Sequence, residues 1–231
     1  MDDVFNPQFW ASVTEIIVVN LLLSGDNAVV IGLACRNLSP RQRRLGIFWG
    51  AAGATVLRIV FTFFAVTLLG YPYLKLVGAA LLVWIAIKLI AQEENGGHNI
   101  KASDRLIGAV WTILVADVVM SLDNVLAVAA AAEDSVPLLV FGLALSIPIV
   151  IAGSGIVTRL MERYPFLILG GGGLLGYIAG EMAAADPAVH PWLADNAPAL
   201  AIAMPFICLG VVVAVGACLM RRRAHRQTVK R

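Results

Sequence analysis

Seven long apolar stretches constrain what this chain can fold into more than any other feature of its sequence. They lie at residues 10–34, 46–69, 72–91, 107–132, 137–158, 165–184 and 198–220. Each has the roughly 20 mostly apolar residues that an α-helix needs to cross the hydrocarbon core of a bilayer. The chain is 60% apolar and 14% charged, whereas soluble domains carry about 25% charged residues. The sequence therefore predicts an all-α, polytopic membrane protein with seven transmembrane helices, forming a single membrane domain over residues 1–231.

The lysines and arginines between the stretches are confined to alternate connections. They follow stretches one, three, five and seven: Arg36, Arg41, Arg43, Arg44; Lys101, Arg105; Arg159, Arg163; and the tail residues Arg221, Arg222, Arg223, Arg226, Lys230 and Arg231. Because cytoplasmic connections are enriched in these residues, we expect the N-terminus outside and the C-terminus in the cytoplasm. Asp2 and Asp3 stand where a cleavable signal peptide would be basic, so we expect the first helix to be retained.

The first six stretches contain an internal repeat. Residues 20–27 match residues 117–124, and Tyr71-Pro72 matches Tyr164-Pro165, at separations of 97 and 93 residues. The chain divides into repeat one (10–91), repeat two (107–184), an additional helix (198–220) and a basic cytoplasmic tail (221–231). Three helices per repeat is an odd number, so the two repeats would cross the membrane in opposite directions. Inverted 3+3 repeats are typical of secondary transporters, whose sites lie near the midplane at the repeat interface.

Eight ionisable side chains fall inside the apolar stretches. The acidic ones are Glu15, Asp26, Asp117, Asp123 and Glu181, and the basic ones are Arg58, Lys75 and Lys88. Those near helix ends, such as Lys75 and Lys88, can extend to the headgroups. Asp26, Arg58, Asp117 and Asp123 lie close to the middle of their stretches, where an ionised group is costly and marks a candidate site.

The spacing of polar residues predicts a cation site built from oxygen atoms. Asp117, Ser121 and Asn124 lie on one helical stripe beside Asp123, and Asn20, Ser24 and Asn27 form the matching stripe beside Asp26. Carboxylate, amide and hydroxyl oxygens suit hard ions such as Mn²⁺, Ca²⁺ or Mg²⁺. We expect the metal ligands Asp26, Asn27, Asp117, Asp123 and Asn124, with Asn20, Ser24, Ser121, Arg58, Glu15, Glu181 and Lys88 as supporting or coupling residues. His98, His190 and His225 lie in connections or the tail, and no CxxC motif occurs, which disfavours zinc or copper.

Arg58 leaves two interpretations open. It could neutralise an aspartate in the ion-free state, or it could contact an anionic substrate directly, since guanidinium suits carboxylates and oxyanions. A third alternative is that the polar residues only cap and bridge helices. The sequence holds no nucleotide motif and no nucleophile–base pair, so we expect neither an enzyme nor an ATP-driven pump, and no prosthetic cofactor. The net charge of +2 disfavours nucleic acid as a partner. The oligomeric state is left open.

Glycines recur every fourth residue on two stretches. Gly46 and Gly50 lie on the second, and Gly172, Gly176 and Gly180 on the sixth. Small residues at this spacing let the backbones of two membrane helices approach each other. We expect both rows to be helix contacts.

Three motifs resemble the TerC family of bacterial membrane proteins. They are Asn-Leu-Leu-Leu-Ser-Gly-Asp-Asn-Ala at 20–28, Cys-Arg-Asn-Leu at 35–38 and Ser-Leu-Asp-Asn-Val at 121–125. The family is associated with manganese efflux and tellurium resistance. The resemblance implies Mn²⁺ export across the bacterial inner membrane, with Asp26, Asn27, Asp123 and Asn124 as ligands by matching motif. Asp117 corresponds to Asn20 of the first motif, so the family pattern supports it less directly.

The sequence thus predicts a secondary transporter that exports a divalent hard cation, Mn²⁺ first among them, by alternating access. The predicted partners are the lipid bilayer and the transported ion. Protonation of the carboxylates, or movement of Arg58 toward them, would drive release. Two other functions remain: an exporter of anions or amino acids anchored by Arg58, and a non-transporting membrane scaffold in metal or tellurite stress.

Overall fold

The computed structural model describes Thr14, Ile17, Val18 and residues 25–69, 71–91, 102–131 and 136–228, with side chains described over 25–62, 71–91, 103–121 and 140–220. Within these ranges every regular element is an α-helix, as the sequence predicts. The helices are α1 (Gly25–Cys35), α2 (Pro40–Leu69), α3 (Leu74–Ile90), α4 (Ala102–Ala131), α5 (Val136–Arg163), α6 (Phe166–Ala184), α7 (His190–Asn196) and α8 (Pro198–Thr228).

Several helices extend beyond the apolar stretches at their basic ends. The stretch at 46–69 belongs to a helix that begins at Pro40, and the stretch at 137–158 to one that ends at Arg163. Helical hydrogen bonding does not stop where the apolar residues stop, so arginine-bearing turns continue each helix past the hydrocarbon. Sequence reasoning missed the short helix α7, which lies within the predicted connection 185–197.

Four described helical segments are long and apolar enough to cross a membrane: Pro40–Thr62, Val140–Arg163, Phe166–Ala184 and Pro198–Met220. The described part of α1 has 11 residues, α3 has 17, and α4 carries Asp104, Arg105 and Asp117 among its polar residues. The all-helical class is confirmed. The count of seven spans and the inverted repeat stay predictions.

The outer surface of the bundle is apolar. Trp111 is 66% exposed and Ile202 is 72% exposed, while Leu33, Leu82 and Leu175 are completely buried. A monomeric soluble protein rarely exposes apolar patches of such extent. Lipid chains, however, are a favourable neighbour for such side chains.

The glycine row on α2 is a helix contact, as the sequence predicts, and the structure shows that it faces α4. A Cβ atom added to Gly50 would lie 2.7 Å from Ile113 Cδ1, and one added to Gly46 would lie 3.3 Å from Leu106 Cδ1. The contacts advance along both helices in the same direction, so α2 and α4 run parallel to each other.

The glycine row on α6 is also a helix contact, but it faces two partners. An added Cβ at Gly176 would lie 2.9 Å from Cys208 O of α8, and one at Gly180 would lie 2.5 Å from Met204 O. Gly172 instead packs on Ile90 of α3. α6 therefore lies between α3 and α8, antiparallel to both.

The two ends of the bundle differ in charge. The arginine-rich end holds residues 36–44, the start of α4 and residues 159–163, where Arg43 forms an ion pair with Glu162 and Arg36 Nη2 donates to Ile90 O at 3.3 Å. The opposite end holds residues 71–76 and 185–197, where Asp186 accepts hydrogen bonds from the start of α3. The structure thus gathers alternate connections at each end.

Candidate functional site

A buried cluster of three polar side chains joins α2 to α4. Arg58 Nη2 lies 2.8 Å from Asp117 Oδ1, and the two side chains are 5% and 4% exposed. Arg58 Nε donates to Ser121 Oγ at 3.3 Å, and Ser121 Oγ in turn donates to Asp117 Oδ2 at 3.1 Å. We call Arg58, Asp117 and Ser121 the α2–α4 cluster.

The sequence places these residues opposite each other through simple helical spacing. On α2, Gly46, Gly50, Ala54 and Arg58 lie four residues apart, so Arg58 continues the face whose glycines contact α4. On α4, Asp117 and Ser121 are also four residues apart, on the face that carries Ile113. Close backbone approach along this face brings the guanidinium and the carboxylate into contact.

The cluster is balanced in charge. An isolated ion at this depth would be very costly, and a buried ion pair is tolerated only when both partners satisfy most of their hydrogen-bonding groups. Here the Asp117 carboxylate, the Arg58 guanidinium and the Ser121 hydroxyl hydrogen-bond to one another. Arg58 neutralises the charge of Asp117 in this conformation. A dication that took the place of the guanidinium would find a carboxylate and a hydroxyl already oriented toward it.

Asp26 and Asn27 bring α1 to the same region. Asp26 Oδ1 accepts a hydrogen bond from Asn27 N at 2.7 Å. The Asp26 carboxylate is attracted electrostatically to Arg58 and repelled by Asp117, so all three charges share one region of the bundle. Asn27 is 6% exposed, and its Oδ1 atom has no hydrogen-bond partner within the described residues. A buried amide oxygen in that state is an acceptor available to a cation.

Part of the predicted ligand set lies outside the described residues. The backbones of Asp123 and Asn124 belong to α4, but their side chains are outside the described ranges, as are Glu15, Asn20 and Ser24 entirely. Among the described side chains, no group of three or more histidines, cysteines or acidic residues could hold a metal ion. The complete ligand set therefore stays a prediction.

Two of the predicted supporting residues lie on the surface, away from the α2–α4 cluster. Lys88 is exposed, and its Nζ atom lies 4.8 Å from the centroid of the Trp84 ring. Glu181 is exposed and accepts a hydrogen bond from Tyr177. Their positions near helix ends suit side chains that reach the headgroups.

Sequence reasoning missed the role of Asp186. This fully buried carboxylate accepts hydrogen bonds from Ala188 N at 2.8 Å and from Tyr73 N and Leu76 N at 3.0 Å each. Burial alone would raise the pKa of Asp186, but these backbone donors outweigh it and hold the pKa below its usual value. Asp186 therefore caps α3 from a distant part of the chain. The Asp-Pro pair at 186–187 suggests a turn, but nothing in the sequence identifies the helix that it caps.

This chain has long helices with an apolar exterior, and they pack through glycines around a buried ion pair. These features are typical of α-helical integral membrane proteins. Comparison with known families agrees and is more specific. Residues 5–225 match the model of the integral membrane protein TerC family. The chain belongs to this family, which points to a membrane transporter or to a role in tellurite or metal resistance.

Several bacterial membrane proteins are similar to this chain. The uncharacterized membrane protein YjbE of Bacillus subtilis is 40% identical over 185 residues, covering 80% of this chain and 84% of YjbE. YceF of the same organism, also an uncharacterized membrane protein, is 28% identical over 77% of this chain and 72% of its own length. The inner membrane protein YgdQ of Escherichia coli is 24% identical, over 69% of this chain and 74% of YgdQ. No solved structure matches the chain.

Proposed function

We propose that this protein is a secondary transporter that exports Mn²⁺, or a closely similar hard dication, across the bacterial inner membrane. The observation that carries the proposal is the buried Arg58–Asp117 ion pair, with the Asp26 carboxylate electrostatically coupled to both charges. Family membership supports a transport or metal-resistance role, and an inner-membrane relative supports the location. We place the N-terminus outside and the C-terminus in the cytoplasm on the distribution of arginines.

In the proposed cycle, Arg58 is the counter-ion of the empty site. It neutralises Asp117 when no cation is bound, as in the ion pair of the α2–α4 cluster. A dication arriving from the cytoplasm would bind Asp26, Asn27 and Asp117, with Asp123 and Asn124 completing the oxygen ligands, and would displace the guanidinium. Return of Arg58 or protonation of the carboxylates would release the cation outward. Such exchange would keep the carboxylates neutralised both when the cation is bound and when the site is empty.

The packing of the helices supports the inverted repeat that this cycle needs. A twofold axis that exchanges α1, α2 and α3 with α4, α5 and α6 would turn the α2–α4 contact into the α1–α5 contact. Both contacts occur, and α1 packs on α4 and α3 on α6 as well. In the proposed repeat, the α2–α4 cluster would lie at an interface between the two halves, where transporter sites are commonly found.

Cellular manganese content tests the proposal against its two alternatives. Cells that express the wild-type chain should hold less Mn²⁺ than cells without it, and Asp26→Asn should abolish the difference. Asp104→Asn, which removes an exposed acid at the start of α4, is the matched control and should behave as wild type. Membrane abundance of each variant is measured alongside.

The alternatives predict different effects of the substitutions on substrate binding and on transport. An exporter of anions or amino acids would lose binding with Arg58→Gln and tolerate Asp26→Asn, whereas the cation transporter retains Mn²⁺ binding in Arg58→Gln. A scaffold would tolerate the loss of every buried aspartate. Export that runs unchanged with an uncoupler and without sodium would contradict coupling to either ion gradient.

A further inference from the structure

The buried carboxylate of Asp186 joins two distant parts of the chain, at the end of the bundle opposite the arginine-rich end. Its Oδ1 atom accepts from Ala188 N at 2.8 Å, within its own turn, and from Tyr73 N at 3.0 Å. Its Oδ2 atom accepts from Leu76 N at 3.0 Å, in the first turn of α3. We call the bonds of Asp186 to Tyr73 N and Leu76 N the Asp186 bridge. It connects the segment after α6 to the start of α3, and these two helices correspond to each other in the proposed repeat.

The Asp186 bridge bonds to a backbone in an unfavourable conformation. The φ angle of Tyr73 is 68°, in the left-handed region. That region is costly for a residue with a Cβ atom, and such a residue stays there only where the surrounding structure imposes it. The Tyr73 side chain is 61% exposed, so packing of the ring does not impose it. The hydrogen bond from Tyr73 N to Asp186 helps to hold this turn, and without that bond the turn could relax.

An apolar contact between three helices lies next to the Asp186 bridge. A Cβ atom added to Gly78 of α3 would lie 2.7 Å from Met182 Cε of α6 and 3.2 Å from Val119 Cγ1 of α4. Met182 and Val119 are 3% and 5% exposed. Met182 is one helical turn before Asp186, and Val119 belongs to the part of α4 that carries the α2–α4 cluster. The bridge thus adjoins the packing that closes α3, α4 and α6 against each other beside that cluster.

The start of α6, at the arginine-rich end, is held differently from the start of α3. Leu167 N and Ile168 N donate to Tyr164 O and Pro165 O in the turn just before the helix, so these bonds do not reach another helix. A cleft of about 340 Å³ lies beside this turn, and Ile168 is part of its lining. The two ends therefore differ: a distant carboxylate fixes the start of α3, whereas a cleft adjoins the start of α6.

We propose that the Asp186 bridge keeps the outer end of the transporter closed, and that Asp186 must release α3 before the bound cation can leave outward. This inference rests on the proposed function, which requires the two ends to open in turn and places this end outside. Release would free the backbone at Tyr73 and let α3 move away from Met182. With the bridge formed, the protein is in the state that loads its cation from the arginine-rich end.

Cysteine labelling of the full-length protein in cells tests the bridge without any transported ion. The three native cysteines are first replaced, by Cys35→Ala, Cys208→Ser and Cys218→Ser. Val119→Cys then reports opening of the outer end to a membrane-impermeant thiol reagent added outside. Asp186→Ala should raise the labelling rate about tenfold or more, since one hydrogen bond to a charged group shifts an equilibrium by at least that factor. Asp195→Ala removes an exposed carboxylate of α7 and is the matched control, which should label as slowly as the parent.

Two results of the labelling experiment would overturn the proposal. One is an unchanged labelling rate in folded Asp186→Ala. The other is an equal rise when the reagent is added to the cytoplasmic side in inverted vesicles, because that result would show general loosening of the bundle and not opening of one end.

A cross-link makes the opposite change and decides the question should Asp186→Ala fail to fold. Tyr73→Cys and Ala188→Cys, in the same cysteine-free chain, place thiols on two residues whose N–H groups share Asp186 Oδ1. A short reducible reagent that joins two thiols should stop Mn²⁺ flux into proteoliposomes, and reduction should restore it. Each single-cysteine variant reacts with the reagent without being bridged, so it is the control and should keep its flux.

The cross-link also separates this inference from the proposed function. Undiminished flux in the cross-linked protein would overturn the role of the bridge and leave Mn²⁺ transport standing. If the protein carries no Mn²⁺ even before cross-linking, the proposed function fails, and the labelling of Val119→Cys still decides whether Asp186 holds the outer end closed.

Discussion

At the scale of single residues, the Arg58–Asp117 ion pair is buried, with side chains 5% and 4% exposed. Removing either partner alone breaks a buried ion pair, which costs about 3–5 kcal/mol. We predict that Arg58→Gln and Asp117→Asn each lower the unfolding midpoint strongly, while the double variant is much less destabilised than the sum of the two. The measurement is a double-mutant cycle by thermal unfolding in detergent.

The control for this cycle uses two exposed charges. Arg44 and Asp104 are exposed at the arginine-rich end. Arg44→Gln and Asp104→Asn should each change the stability only slightly, and the effect of the double variant should equal the sum of the two. Strictly additive effects of the Arg58 and Asp117 substitutions would contradict a direct interaction between the two side chains.

Asp186 gives the protein a pH-dependent contribution to stability. Because its folded pKa is below the ordinary value of 3.8, the ionised form stabilises the fold at every pH above that value, and the contribution is lost as the pH falls below it. We predict that Asp186→Asn lowers the unfolding midpoint near neutral pH, since each charge-assisted hydrogen bond contributes about 1.5–3 kcal/mol. The difference from wild type should shrink below about pH 4.

The exposed Asp195 on α7 provides the comparison for Asp186. Asp195→Asn should leave the midpoint unchanged at every pH. A wild-type advantage over Asp186→Asn that persists undiminished in acid would show that the carboxylate acts through shape and not through its charge.

The sequence predicts which residues need partners better than it predicts the partners. Depth in the apolar stretches identifies Arg58 and Asp117, and helical spacing groups Asp117 with Ser121, as the structure has them. That Arg58 pairs with Asp117, and not with Asp26 or Asp123, depends on how α2 packs against α4. Asp186 was missed for a related reason: its donors are more than 100 residues away in the chain.

At the scale of helices, the α6–α8 contact depends on glycine. A Cβ atom at Gly180 would collide with backbone atoms of α8, whereas one at Gly170 on the same helix would meet nothing within 4 Å. Alanine stabilises a helix by about 1 kcal/mol relative to glycine. We predict that the two substitutions change the unfolding midpoint in opposite directions. Gly170→Ala raises it slightly, and Gly180→Ala lowers it. If both substitutions shift the midpoint the same way, the tight contact is not formed.

The positions of helices were largely predictable, and their ends were not. A helix that crosses the hydrocarbon needs a run of apolar residues, so such runs indicate where membrane helices lie. The centres of α2, α5, α6 and α8 accordingly fall within the predicted stretches. Hydrogen bonding along the backbone decides where a helix ends, and it tolerates arginine and lysine turns in the headgroup region. Glycine spacing predicted contact rows correctly, but it could not show that Gly172 and Gly176 face different partners.

At the scale of the whole molecule, the distribution of arginines predicts the orientation. The structure gathers residues 36–44 and 159–163 at one end, and from the positive-inside rule we expect that end in the cytoplasm. A fluorescent protein that folds only in the cytoplasm, fused after Arg231, should therefore be bright. An alkaline phosphatase fused at the same position should be inactive, and the reverse result would invert the proposed direction of transport.

The central claim is that a hard dication crosses the membrane through the carboxylates near the α2–α4 cluster. The most direct measurement is Mn²⁺ flux into proteoliposomes that contain a manganese-sensitive dye, comparing wild type with Asp26→Asn and with the control Asp104→Asn. The account predicts flux for wild type and Asp104→Asn, and none above protein-free vesicles for Asp26→Asn. Undiminished flux in folded Asp26→Asn, or none in the wild-type protein under any ion gradient, would contradict it.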